Sequence, residues 1–377
     1  MAGVPTVGVE EEFFLVDPVT SRLVDCNGAV ADRGRATGVD VVSELTRYQV
    51  ETNSRPERDM HRLRRLLAAS RRGLSAAAHS CGVAVLAAGV CPTPAPERGP
   101  AAISDTSRYH RLAETHGALA FADPCCGCHI HVEMPDRATA IGVSNHLRPW
   151  LPVLLALTAN SAIHDGVDTR HRSWRSVLWG RWPTAGPPPV HRSPEHFDET
   201  VRMLIDCGAI LDEASLYWDI RPSAHHPTIE IRVSDIPATV EETVLLAALV
   251  RALATTARWA HDAGRPAPEP QFLDMAYRCA QHGGMDGTAL DPMTGTAVTP
   301  TQMLDRLLAT VRPALLATGD DIIVRELSRT IARRGGTGAA RQRAIYTETK
   351  DSARVVRSAL LPTPERPSAR RAPAPDT

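Results

Sequence analysis

Hydrophobic and polar positions alternate with a period of two along several short stretches, and the first of them sets the frame. From Val7 to Val16, the residues Val7, Val9, Phe13 and Leu15 share one face with Glu11, while Gly8, Glu10, Glu12 and Phe14 take the other. The run is rich in β-branched and aromatic residues and closes on Asp17-Pro18, so it predicts a strand. Glu10 and Glu12 then project side by side, about 7 Å apart at the backbone given about 3.3 Å of rise per residue. Two such carboxylates either form the solvated acidic face of an edge strand or hold a cation between them.

The same period recurs downstream. Ser43 to Arg55 alternates up to Pro56, reads as one strand, and places Gln49, Glu51 and Asn53 together. Val83 to Gly89 is a short buried strand, and Cys125 to Asp136 another, with Cys128, Ile130 and Val132 on its apolar face and His129, His131 and Glu133 opposite. Ser215 to Pro222 puts Tyr217, Asp219 and Arg221 on one side. Thr228 to Asp235 points Ile229, Ile231 and Val233 inward and Glu230, Arg232 and Ser234 the other way. The turn from Ser223 to Pro227 makes these last two a hairpin.

Between the strands the period changes to that of a helix. Asp59 to His79 carries the stripe Met60, Leu63, Leu66, Leu67, Leu74 and Ala78. Helices are also predicted over Ser107–Leu119, Asn145–Asn160 and Pro194–Cys207. Thr239 with Glu242 forms a capping box that opens a long helix. Beyond the linker Pro266–Pro270 the chain reads as helices over Gln271–His282, Pro300–Leu316, Asp320–Arg333 and Arg341–Ser358. Residues 161–192 form a long connection rich in Arg, Trp, His and Pro, of the kind that serves as a functional loop. The expected organisation is a single domain over residues 1–360 with a helical C-terminal portion at about 270–360. The Pro/Ala/Arg-rich residues 361–377 read as a disordered tail. Its class is α+β, a mainly antiparallel sheet cupping a site with helices on the outer face.

Composition narrows the chemistry. The formal net charge of the 377 residues is −1, so neither nucleic acid nor an anionic membrane surface is implied as a partner. No apolar run reaches membrane-spanning length and no leader opens the chain, which predicts a soluble cytoplasmic protein. The eight cysteines lie mostly in apolar segments, as buried thiols would. A zinc site from Cys125, Cys126 and Cys128 with His129 and His131 is disfavoured, because strand alternation sends cysteines and histidines to opposite faces. Lys350 is the only lysine, in Thr-Glu-Thr-Lys, which excludes a Walker A loop, a pyridoxal Schiff base and a nucleotidyl-lysine ligase. Phosphate here must be handled by arginine and metal.

The chemistry-bearing residues fall on the polar faces of the strands. Carboxylates come from three of them (Glu10 and Glu12, Glu51, Glu230) and imidazoles from a fourth, with Arg232 beside Glu230. Oxygen donors suit Mg²⁺ or Mn²⁺, and several together suit a nucleotide polyphosphate with its ions. Arginine beside them would neutralise a transferring phosphoryl group. Arg175, Tyr217 and Arg221 are candidate substrate contacts, since guanidinium groups beside aromatics suit carboxylates and phosphates.

Four motifs in order carry a resemblance: Gly8-Val9-Glu10-Glu11-Glu12-Phe13, Cys126-Gly127-Cys128-His129-Ile130-His131-Val132, Tyr217-Trp218-Asp219-Ile220-Arg221-Pro222-Ser223 and Thr228-Ile229-Glu230-Ile231-Arg232-Val233. With Asn145–Asn160 and Trp179–Pro189 they resemble the bacterial carboxylate–amine ligase family, also called glutamate–cysteine ligase type 2, of the glutamine synthetase-like group. The similarity runs from about residue 5 to the Gly336-Thr337-Gly338-Ala339 turn. It implies an antiparallel sheet of about six strands whose concave face holds ATP phosphates and two or three Mg²⁺ ions. By position it implies metal-binding roles for Glu10, Glu12, Glu51, His129 and Glu230. Arg232 matches the arginine on the transferred phosphate and His131 a phosphate-side position, with Glu230 and Arg232 the catalytic pair. Arg55 departs from the family pattern, which has a shorter polar residue before the proline, and is a candidate to reshape the substrate end.

The implied reaction is ATP-dependent amide formation through an acyl phosphate, with glutamate and cysteine giving γ-glutamylcysteine, ADP and phosphate. A metal-dependent hydrolase using the same carboxylates, or a catalytically weak binder of nucleotide or amino acid, is the alternative. Small-molecule carboxylate and amine substrates and ATP are the expected partners, and a homodimer is left open.

Overall fold

Strand β1 (Val7–Val16) lies at the middle of the sheet and pairs on both edges. The computed structural model describes residues 3–94, 99 and 102–363. After β1 come α1 (Asn27–Ala36), β2 (Val41–Ser43), β3 (Gln49–Asn53), α2 (Met60–Ser80), β4 (Ala84–Leu86) and α3 (Ser107–His116). Then follow β5 (Gly127–Glu133), α4 (Arg137–Leu147), α5 (Leu151–Thr158), the small hairpin β6 (Ile163–His164) and β7 (Val167–Asp168), α6 (Trp174–Trp179) and α7 (Pro194–Asp206). The hairpin β8 (Ile220–Pro222) and β9 (Thr228–Asp235) completes the main sheet. The remainder is α8 (Val240–Asp262), α9 (Leu273–Gly283), the hairpin β10 (Ala289–Leu290) and β11 (Ala297–Val298), α10 (Pro300–Thr318), α11 (Asp321–Arg333), α12 (Gly338–Thr349) and α13 (Ser352–Ser358).

The main sheet runs β2-β3-β1-β5-β9-β8, every pair antiparallel, with β4 added beside the C-terminal end of β1. The α+β expectation is therefore met: a six-strand antiparallel path, with one further short strand, and a helical C-terminal region. The convex face carries Val7, Val9, Phe13, Leu15, Ile130, Val132, Ile229 and Ile231 into one continuous core. Helix α8 covers β5 and packs against α2, α4, α10 and α11. It starts where expected: Thr239 Oγ1 accepts from Glu242 N, and the Glu242 carboxylate accepts from Thr239 N.

Several elements differ from the sequence reading, each for a local reason. The alternation from Ser43 to Arg55 is a hairpin, not one strand: the Thr46 hydroxyl donates to Gln49 Oε1 at 2.6 Å and Gln49 N to Thr46 O at 3.0 Å, closing a turn that has no glycine or proline. Of Ser215 to Pro222 only β8 joins the sheet, because Tyr217 N and Asp219 N donate instead to Thr184 Oγ1 and Gly186 O in the preceding loop. The helix expected over Asn145–Asn160 begins at Arg137, capped by Asp136, and is interrupted by a 3₁₀ turn at Arg148–Trp150 where Pro149 cannot donate. The helix expected over Arg341–Ser358 is two, divided at Lys350, which adopts left-handed φ of 53°. The 161–192 connection contains β6, β7 and α6. At the C-terminus Leu361 is buried and donates to Val85 O at 2.8 Å, and the expected tail from residue 364 lies outside the described residues.

One polar group enters the convex core. Glu11 is fully buried and takes a two-pronged contact from Arg71, at 2.6 and 3.1 Å, plus the Thr243 hydroxyl at 2.7 Å. Arg71 also donates to Pro237 O and Ala238 O, so β1, α2 and α8 meet at one fork. A buried ion pair adds little net stability over an apolar pair, but removing one partner leaves an uncompensated buried charge. Glu11→Gln is therefore expected to cost about 3–5 kcal/mol in urea denaturation, although Glu10 and Glu12 flank it. A loss below about 1 kcal/mol would show that Arg71 finds other compensation.

Candidate active site

Pairing across the concave face sets the candidate residues in rows. Glu10 of β1 stands opposite Asn53 of β3 and opposite His129 of β5; Glu12 stands opposite Glu51. His131 faces Glu230 of β9, which faces Arg221 of β8. A register shift between Cys128 and Ile130 gives β9 one extra residue, which keeps His131 and Glu230 on the concave side while Cys128 and Ser234 pair behind. An open cavity of about 260 Å³ lies over this floor, lined among others by Glu10, Glu12, Glu51, His129, Arg221 and Arg232.

The acids at the two ends of the floor have opposite electrostatics. Burial would raise Glu10, but hydrogen bonds from His129 and His131 outweigh it and hold its carboxyl well below the usual range. His129 Nδ1 lies 2.9 Å from Glu10 Oε2 and 3.4 Å from Arg232 Nη1; the shorter contact makes Nδ1 a donor to Glu10. His131 donates from Nε2 to Glu10 Oε1 at 3.0 Å and accepts the Thr228 hydroxyl at Nδ1, 2.9 Å away. Glu230 is likewise pulled down against its burial, first by Arg232 and then by Arg221. Arg221 spans both its oxygens at 2.8 and 3.3 Å, and Arg232 Nη1 contacts Oε1.

At the β3 end the carboxylates crowd one another. Glu51 is raised well above its ordinary value, by burial and then by Glu44, Glu10 and Glu12. Glu44 is raised to about 7, by burial and then by Glu12. Glu12 accepts Gly127 N at 2.5 Å, and its other oxygen lies 3.6 Å from His129 Nε2.

Of the candidate substrate contacts, the structure brings Arg175, Tyr217 and Arg221 to the cavity wall. Arg55 is not among them: it is exposed past the end of β3 and lines a separate surface depression with Glu57, Arg58 and Arg62. The alternation that put Arg55 on the face of Glu51 and Asn53 does not survive the end of the strand, where Pro56 turns the chain.

Other cavity residues had no strand signal. Glu44 sits an odd number of positions from Glu51, so a single strand would have sent it to the far face; the hairpin turn brings it back. Tyr109 comes from α3, and Trp179 and Trp182 pack edge-on to Tyr217 at 5.0 and 5.2 Å.

The model of Glutamate-cysteine ligase family 2 matches residues 6–358. A Nocardia farcinica protein carrying the provisional name glutamate–cysteine ligase 2-1 is 48% identical over 355 residues, covering 93% of this chain and 91% of that one. A Mycolicibacterium smegmatis protein provisionally named glutamate–cysteine ligase 2-3 is 47% identical, covering 94% and 97%. Among solved structures, the glutamate–cysteine ligase of Francisella tularensis in complex with AMP superposes with a TM-score of 0.70 at 12% identity, over 95% of this chain and 89% of that one. A bifunctional glutathione synthetase of Pasteurella multocida gives 0.66 at 13%, over 94% and 51%. At such identities the structural likeness speaks for the fold alone.

The sequence relationships place the protein among the ATP-dependent carboxylate–amine ligases. It belongs to glutamate–cysteine ligase family 2. No helix among the described residues is long and apolar enough to cross a membrane.

Crowded acids have a measurable consequence in the protein without added cation. A carboxyl raised from 4.5 to about 7 costs stability when it ionises in place, fully above pH 7 and not at all below about 4.5. Glu44→Gln removes that cost. Its melting temperature in EDTA is expected to exceed that of the wild type at pH 8, with the difference shrinking as the pH falls towards 5. An equal or lower melting temperature at pH 8 would mean the acids do not repel.

Proposed function

We propose that the protein joins a carboxylate to an amine by first phosphorylating the carboxylate with ATP, glutamate and cysteine being the substrate pair. The observation that supports this most is the polarity of the floor: crowded carboxylates at the β1–β3 end and paired guanidinium groups at the β8–β9 end, under one cavity. A polyphosphate with its cations matches such a gradient, because cations answer the acids and arginine answers the transferring group.

The residues fit a divalent cation. Two groups, Glu10–His129–Glu230 and Glu12–Glu51–His129, each bring ligand atoms within 4.8 Å of one another. Mainly oxygen donors with one imidazole suit Mg²⁺ or Mn²⁺. Because His129 Nδ1 donates to Glu10, Nε2, 3.6 Å from Glu12 Oε1, is the ring nitrogen that would be left to ligate a cation, which favours the Glu12–Glu51–His129 group. Glu230 has both oxygens on arginines, so it would share a cation with them. A cation bound here supplies charge screening between the carboxylates and the phosphate oxygens.

The chain's own residues do the rest. A substrate carboxylate oxygen attacks the γ-phosphorus, the bond to the bridging oxygen breaks and ADP leaves. Arg232, held by Glu230 beside the acids, stabilises the equatorial oxygens through this transfer, and His131 assists on the phosphate side. The amine nitrogen then attacks the acyl carbon, phosphate departs, and the nitrogen loses its proton. Arg175, Arg221 and Tyr217 on the wall would orient the acid.

ADP release should require an acid and an amine together. Hydroxylamine should trap the acyl phosphate as a hydroxamate. Arg232→Lys keeps the charge and loses the fork, so ATP affinity should hold while turnover falls about 10²–10³-fold, as for a lost oxyanion donor. Release of AMP instead of ADP would replace the mechanism by adenylation, and ATP-independent cleavage would make the protein a hydrolase.

Protons on Glu44 and Glu51 also compete with a bound cation. Mg²⁺ affinity by calorimetry should therefore rise from pH 6 to pH 8, and Glu12→Gln should weaken it at both. An affinity that does not change with pH would place the cation away from these acids.

A further inference from the structure

The register shift between β5 and β9 re-aims the last residue of β9. By simple alternation Asp235 would share the convex face with Ile229 and Ile231. The extra residue changes the phase, so Ser234 pairs with Cys128 behind the sheet and Asp235 stands opposite Gly127, on the face that bears His129 and His131. Bulges beside active sites commonly serve to redirect a side chain in this way. Asp235 is fully buried there.

Three donors meet its carboxylate. Oδ2 accepts Asn160 N at 2.8 Å and the Ser161 hydroxyl at 2.6 Å, and Oδ1 accepts the Ser173 hydroxyl at 2.8 Å. Both serines pass the connection on to α6, the helix that carries Arg175. Ser161 Oγ accepts from Arg175 N at 3.0 Å, and Ser173 Oγ, as the helix N-cap, accepts from Ser176 N at 3.2 Å. Asp235 Oδ1 also lies 4.0 Å from Arg175 Nη1, and Asp235 is the one carboxylate in ion-pair range of that guanidinium among the described residues. Arg175 is thus held at both ends, its backbone through Ser161 and its guanidinium by charge.

Gly127 completes the seat. A Cβ there would come within 2.4 Å of Arg175 Nη2 and 2.9 Å of Cζ, so the guanidinium fills the space that a side chain would take. It stacks over Trp179 at 5.8 Å from the ring centre, and Arg175 is 3% exposed, yet it lines the cavity. Its Nε is buried without a partner among the described residues, so the Nη nitrogens are the donors it can offer there. Burial raises the Asp235 carboxyl, and Arg175 is the foremost of the groups that oppose the rise. Two hydroxyls and one amide could be met by a neutral acceptor. A buried negative charge has a cost that the cation beside it offsets.

We propose that Asp235 is a positioning residue of the ligase: with Gly127 it seats Arg175 so that the guanidinium anchors a carboxylate of the acid substrate. The proposal rests on the ligase reading above.

Two variants disturb the seat from opposite sides. Asp235→Asn removes the charge and keeps an oxygen for Asn160 N and the Ser161 hydroxyl. Gly127→Ala leaves Asp235 intact and presses on the guanidinium, and its backbone is not in the left-handed region, so alanine suits it. Each full-length variant is compared with wild type for melting temperature, for the KM values of glutamate and ATP in ADP release with cysteine as the amine, and for the Arg175 position in crystal structures. A misplacement of about 1 Å can cost on the order of 10²-fold, so kcat/KM for glutamate should fall about ten- to a hundredfold, carried by KM. The KM for ATP should change little. Arg175→Ala should raise the KM for glutamate as well, and adding Asp235→Asn to it should raise it no further, because both act through one contact.

A KM for glutamate that does not rise, a guanidinium left in its wild-type position, or factors that multiply in the double variant overturn the proposal. If Asp235→Asn fails to fold, Gly127→Ala decides by KM and guanidinium position. A wild-type protein that releases no ADP with glutamate and cysteine defeats the ligase reading with that substrate pair, and the crystallographic positions then decide the seating of Arg175 alone.

Discussion

The buried fork between Glu11 and Arg71 fixes which face of β1 is which. A strand has a side-chain period of two, so a slip of one residue exchanges its faces. In the slipped register Glu10 and Glu12 would both press into the convex core and Phe13 would stand in the cavity. Arg71 answers one carboxylate there, and Thr243 and the carbonyls of Pro237 and Ala238 complete its surroundings. A second buried acid would have no such partner. The pair thus acts through specificity more than through net stability, a role that buried ion pairs can fill. Since β1 is central, its register carries through the sheet: Glu10 falls opposite His129, Glu12 opposite Glu51, and from β5 the order passes to Glu230 and Arg221.

That register produces an uneven floor. Glu230 is neutralised locally by two arginines and Glu10 is hydrogen-bonded by two imidazoles, whereas Glu44 and Glu51 have no ion pair with an arginine among the described residues and are crowded by each other and by Glu12, which raises their proton affinity. A sheet that answered each acid with a base would be more stable and less useful. The uncompensated end is where a cation gains most, and the compensated end holds arginines already aimed by their anions. The site therefore stores its electrostatic strain at one end and its preorganisation at the other.

Much of this was legible because the floor lies on strands. Alternation alone set Glu10 and Glu12 apart from Glu11, His129 and His131 apart from Cys128, and Glu230 with Arg232 apart from the isoleucines. The capping box at Thr239 and the hairpin ending in β9 were equally plain, since each rests on residues within a few positions of one another. What failed depended on partners distant in the chain or on turns without glycine. Thr46 and Gln49 close a hairpin through a side-chain hydrogen bond that no composition rule announces, and Glu44 went unnoticed as a cavity residue with it. Loop residues Thr184 and Gly186 draw Tyr217 and Asp219 out of the ladder. Arg55 follows the pattern of β3 on paper but lies past its end. Tyr277 lies within the expected helix Gln271–His282 with nothing in the sequence to single it out, and only the fold brings it to Asp219.

The arginines show how a chain with one lysine divides structural from chemical tasks. Lys350 caps a helix and lies over Tyr346, at 5.8 Å from the ring centre. Every deeply buried cation is an arginine, as expected for the more weakly hydrated and more richly donating group. Arg71 and Arg251 are the structural kind: each engages a carboxylate through Nε and Nη2 together and adds backbone carbonyls, leaving little capacity unspent. Arg175 and Arg232 are buried to a similar depth, yet their Nε atoms meet no acceptor among the described residues. Arg172 and Arg343, which do not line the cavity, leave a buried Nε unpaired as well, and each such donor carries a cost of about 1–3 kcal/mol. Arg175 and Arg232 both line the cavity, so their guanidinium groups are placed to meet an anionic substrate or phosphate, while the unpaired Nε atoms themselves lie beneath its surface.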